Sequence, residues 1–137
     1  MANIPASTDI EVIWRSFQLD PGAPRKADGD LYDHLSRKFG ISREEAMAMN
    51  DQVISMGHGS GIEFDFENAH ALNTFDAHRM LKLAGEEGRE APLADAMFGA
   101  YFTGSSDLSE KTDLIRLATE SGVDPERAAA VAEGDEF

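Results

Sequence analysis

The segment Asp9 to Leu19 constrains this chain more than any other. Ile10, Val12 and Trp14 fall on one side of an extended backbone, and Ile13, Phe17 and Leu19 on the other. β-branched and aromatic residues in alternation predict a strand, and apolar residues on both sides predict one covered on both faces, as in an α/β sheet. Asp20-Pro21-Gly22-Ala23-Pro24 ends it, because proline brings no amide to a ladder. Nearly everything that follows has helical periodicity. The expected fold class is therefore mainly α, five to six helices in a bundle with one N-terminal strand. The boundaries are a strand and turn over residues 1–24 and a helical domain over 25–137. A lone buried strand leaves backbone groups unpaired, at about 1–3 kcal/mol each. Its hydrogen-bonding edge, carried by Ile10, Val12, Trp14 and Phe17, is expected to pair with a second copy of the chain or with a missing part of a larger protein.

The helices announce their ends. Leu31, Leu35 and Phe39 share a face, with Gly40 placed to close the helix. Ser42 and Glu45 form a capping-box pattern ahead of Ala46, Met49, Val53 and Met56, a second stripe that stops in a glycine-rich run from Gly57 to Gly61. Ile62 to Phe66 reads as a short extended stretch. Asn73 or Thr74 can cap a third helix with Ala77, Leu81 and Ala84 inward. Pro92 suits the first turn of a fourth, carrying Leu93, Met97, Ala100 and Tyr101. Ser109 is expected to open a fifth, with Leu114, Leu117 and Ala118 inward. Gly122 closes it, Val123 supplying the apolar contact of a Schellman turn. Asp124-Pro125 starts an alanine-rich sixth.

Charge narrows the partners. With 26 acidic against 12 basic residues the net charge is −14, which repels phosphate backbones and anionic bilayers. Neither nucleic acid nor a membrane is an expected partner, and no apolar run approaches the roughly 20 residues a membrane helix needs. The start carries no basic and apolar leader pattern, so the expected location is cytoplasmic. The chain has no cysteine, hence no disulfide, thiolate metal site or thiol nucleophile. His34, His58, His70 and His78 lack the i, i+4 pairing around a glutamate that a zinc-protease helix uses, so no metal site is expected. Asp28-Gly29-Asp30 is too short for a calcium loop. The glycines around His58 fit neither phosphate-binding pattern and read as a helix end. Methionines 47, 49, 56, 80 and 97 read as core filler.

Glu11 to Pro21 resembles the second-strand signature of cytosolic DsbA-family proteins. These include polyketide-associated disulfide oxidoreductases and the hydroxychromene-carboxylate isomerase and kappa-class glutathione transferase branch. Ala48-Met49-Asn50, Gly61-Ile62-Glu63-Phe64, Asn73 to Arg79, and Ala100-Tyr101-Phe102 follow in that family's order and spacing, so the resemblance runs from about residue 9 to 137. It implies a thioredoxin-like sheet interrupted by a helical insertion. This chain would supply strand two and the insertion, while the first strand, the Cys-x-x-Cys centre and the cis-proline loop lie outside it. The implied activity of the whole is thiol–disulfide exchange or a glutathione-using isomerisation. No cofactor is expected in this chain, and no redox activity from these residues alone. The resemblance also places Asn73, Thr74 and His78 beside a substrate groove. Each has a simpler reading: Asn73 or Thr74 as an N-cap, worth about 1 kcal/mol, and His78 as a core histidine bonded to a carbonyl.

Overall fold

The computed structural model describes residues 12–137, and within them the chain is six helices and one isolated antiparallel bridge between Lys26 and Leu72. They are α1 (Leu31–Phe39), α2 (Arg43–Gly59), α3 (Phe75–Glu86), α4 (Glu90–Thr103), α5 (Lys111–Glu120) and α6 (Pro125–Glu133). The mainly α class is that expected from the periodicity.

Local chemistry sets the helix ends. At α1, Asp30 and Asp33 form a reciprocal capping box, and Gly40 takes the left-handed conformation at φ 66° that a side chain would resist. At α2, Ser42 and Glu45 cap each other as their spacing predicts. The Schellman turn after α5 is complete: the Gly122 amide donates to Thr119 O, and the Val123 amide reaches back to Ala118 O at 3.0 Å. Val123 is buried there. Asp124 caps α6 by accepting from the Glu126 and Arg127 amides. The expected pair, Asn73 and Thr74, opens α3, with the roles divided between them, while the start of α5 differs. Thr74 occupies the N-cap position of α3 without a side-chain bond; the Phe75 amide instead donates to Asn73 Oδ1 at 2.9 Å. Ser109 lies one residue before the Glu110 N-cap of α5, and its amide and hydroxyl both donate to Asp107 Oδ1.

α3 is the hub, packed against α4, α5 and α6. Met80 and Leu83 of α3, Leu93 of α4, Leu114 of α5 and Val131 of α6 are fully buried, each worth about 1.5–3 kcal/mol of apolar transfer. A second, smaller core lies under α1 and α2, where Tyr32, Ala46, Phe66 and Ala69 meet. Residues 24–31 run against 69–73 and join the two: the Ala27 amide donates to Ala71 O, Leu31 to Ala69 O, and Asn73 to Pro24 O.

Several expectations need correction. Of the stripe on α2, Ala46 is buried, but Met49 and Met56 are each 60% exposed and Val53 is exposed too. α2 packs on α1 alone among the described helices, so one flank stays uncovered. Met80 and Met97 are core; Met47, Met49 and Met56 are not. On α3, Leu81 is only partly buried, and Met80 and Leu83 are the inward pair. The expected strand lies partly outside the described residues, Ile10 included. From Val12 to Leu19 the backbone makes no ladder hydrogen bond among the described residues, and Phe17 and Leu19 are 74% and 83% exposed. No neighbouring strand within the described residues supplies the missing partners, so Val12, Ile13, Phe17 and Leu19 stay exposed while Trp14 is partly covered. Ile62–Phe66 likewise forms no strand; the Asp65 amide donates to Phe102 O instead.

Candidate functional site

Asn73 is where the leading segment meets the bundle. Its Oδ1 accepts from Gln18 Nε2 at 2.6 Å and from the Phe75 amide at 2.9 Å, while Nδ2 donates to Ala23 O at 2.9 Å. An amide side chain has two acceptor sites and two donors, so Asn73 retains one N–H for anything else. One turn along α3, His78 sits half-buried against Phe17. Burial lowers its affinity for a proton, and a bond to the Phe17 backbone works weakly the other way. Its Nδ1 is buried without a partner among the described residues. Protonation would put a charge where nothing receives it, so the ring favours the neutral form.

The structure brings Asn73 and His78 together along one side of the Val12–Leu19 segment, with Thr74 between them at the head of α3. Trp14 lies further along, its ring 6.2 Å from Phe98 of α4. Phe98 continues through Phe102 into Phe64 and Phe66, an aromatic row reaching the smaller core. Val12 and Phe17 of the expected pairing edge are exposed.

Sequence reasoning missed Gln18, whose contact with Asn73 spans 55 positions and leaves no local signal. It also missed Arg79, which is 6% exposed and charged. Its guanidinium donates to Val131 O and Gly134 O at 2.7 Å and to Glu136 O at 2.9 Å, and pairs with Asp76 at 3.0 Å. The Asp76–Arg79 spacing was the available hint. Among the described residues no group of three histidine or acidic side chains converges to hold a metal. What the arrangement offers chemically is an apolar, aromatic surface with a neutral imidazole and one amide N–H on its edge.

A helical bundle built on a hub helix, with an unpaired apolar segment at its head, has the form of a helical insertion. The model of the DSBA-like thioredoxin domain matches residues 2–137, and the chain belongs to that family. No curated protein matches it. Among solved structures, the chain is similar to a probable DsbA oxidoreductase from Streptomyces coelicolor, with 33% sequence identity and a TM-score of 0.87. The match covers 97% of this chain and 57% of that one, so the chain spans little more than half its neighbour's length.

Proposed function

We propose that this chain is the helical part of a DsbA-family thiol–disulfide oxidoreductase, forming the lid and one wall of a substrate groove over a thiol centre carried elsewhere. The observation behind this reading is the close match to 57% of a probable DsbA oxidoreductase by a chain that has no cysteine. In thiol–disulfide exchange a thiolate attacks one sulfur of a disulfide, a new S–S bond forms, and the other sulfur leaves as thiolate. These residues contribute surface to that step, not sulfur. Thr74, His78 and the remaining N–H of Asn73 form the polar edge of the wall, and the aromatic row forms its apolar floor. A chimera tests this: residues 25–137 replacing the corresponding segment of the Streptomyces relative should reduce insulin, and His78→Ala within it should lower turnover. Turnover by the present chain alone, or a folded chimera indifferent to His78, would sink the proposal.

A second reading is favoured by the exposure of Phe17 and Leu19 on a segment without ladder bonds. Val12, Trp14 and Phe17, with Ile10 outside the described residues, would then pair with the same segment of a second copy, which supplies the missing strand. Sizing across a concentration series separates the two. A dimer that Phe17→Lys dissolves supports self-pairing, and a monomer at all concentrations removes it.

A further inference from the structure

Basic side chains are scarce here, and most of them meet a carboxylate, as Lys26 meets Asp107 at 2.6 Å and Lys111 meets Glu133 at 3.0 Å. Two differ. Among the described residues Arg15 bonds only the neighbouring Trp14 carbonyl at 3.3 Å, and Lys82 of α3 makes no ion pair. Both line one open cleft of about 380 Å³ between the leading segment and the α3–α4 corner. Trp14 and Phe137 give that cleft apolar walls, Ser16 adds a hydroxyl, and among the described residues Glu90 is the acidic side chain in the lining.

In a chain of net charge −14, two cations without an ion pair among the described residues, on one concavity, make a local positive region inside a negative field. Arginine presents a planar fork suited to a carboxylate, lysine a mobile point charge, and the indole face a flat apolar contact. We propose that this cleft binds a small organic anion with an apolar body, its carboxylate held between Arg15 and Lys82 and its body laid on Trp14. Glu90 opposes a second negative charge, so monoanions are preferred to dianions. The inference uses none of Asn73, Thr74 or His78, and Arg15 and Lys82 distinguish it from both readings above, with which it shares only Trp14.

Trp14 is the chain's only tryptophan, so its fluorescence reports on this cleft directly. Titration with hexanoate should give a saturable change, and the uncharged hexanamide should not. Arg15 and Lys82 are exposed, so their substitution leaves the fold intact. Arg15→Ala and Lys82→Ala should each weaken hexanoate by up to about fivefold, the upper end for a screened ion pair. Glu90→Gln should tighten it, and added salt should weaken it. A response shared by hexanamide, an unchanged affinity in Lys82→Ala, or no saturation up to tens of millimolar would each overturn the proposal.

Discussion

The guanidinium of Arg79 on α3 donates to the main-chain carbonyl of Val131 on α6, at 2.7 Å and within the protein interior. The same group satisfies Gly134 O and Glu136 O beyond the helix end. α6 would otherwise finish with carbonyls turned inward and unbonded, since a helix leaves its last four without intrahelical partners. Replacing Arg79 by alanine strands those oxygens, and a loss of about 1–3 kcal/mol is expected for each one left buried and unsatisfied, read as a lower urea midpoint. Arg79→Lys should recover only part of it, because an ammonium cannot reproduce the planar fork.

The clasp between Gln18 and Asn73 should show as coupling. Asn73→Ala removes three side-chain bonds and should cost about 1–3 kcal/mol, Gln18→Ala less. The double variant should cost less than the sum, because either change alone already breaks the 2.6 Å contact. Hydrogen exchange would locate the effect: the Gly22 and Ala23 amides lose protection while α5 and α6 keep theirs.

Gly57 of α2 faces the Phe64 ring, where an added Cβ would come within 2.7 Å of the ring edge. Alanine normally favours a helix by up to about 1 kcal/mol over glycine. Overpacking should win here, so Gly57→Ala is expected to destabilise by about 1–3 kcal/mol. Phe64→Leu in the same chain should relieve much of that loss in thermal melts.

Acid should weaken the fold in two separable windows. Burial, opposed by the Phe17 backbone contact, holds the His78 pKa below its usual value, so below about pH 6.5 the unfolded chain binds the proton more readily and stability falls. His78→Gln should flatten that limb. Burial raises the Asp107 carboxyl, but bonds from Lys26, the Ser109 hydroxyl and the Ser109 amide outweigh it and bring the pKa to about 2. Its contribution is present above the ordinary carboxylate value of 3.8 and is lost as pH falls towards 2. Asp107→Asn should remove that second decline, with denaturant midpoints against pH as the measurement.

The helix ends were legible because their causes are local. Ser42 and Glu45, Gly122 and Val123, and Asp124 and Pro125 each sit within a few residues of the groups they satisfy. The third helix shows the limit: Asn73 and Thr74 stood together as cap candidates, and only the folded backbone directs the Phe75 amide to Asn73. Periodicity found the stripe on α2 but could not say that Met49 and Met56 would lack a covering neighbour, since that depends on how helices dock. The same holds for the candidate site. Asn73 and His78 could be singled out, yet Gln18 and the Phe17 carbonyl, which determine what those side chains have left to offer, are more than fifty positions away.

Neither helix of the α1–α2 hairpin packs on any other described helix, and Phe102 reaches across to it through Phe64, Phe66 and a main-chain bond to Asp65. Beside the main-chain pairing of residues 24–31 with 69–73, this aromatic contact thus carries much of the side-chain coupling between two separately cored blocks. With Phe102 reduced to alanine, the heat-capacity trace should split, the hairpin melting ahead of the four-helix remainder instead of with it.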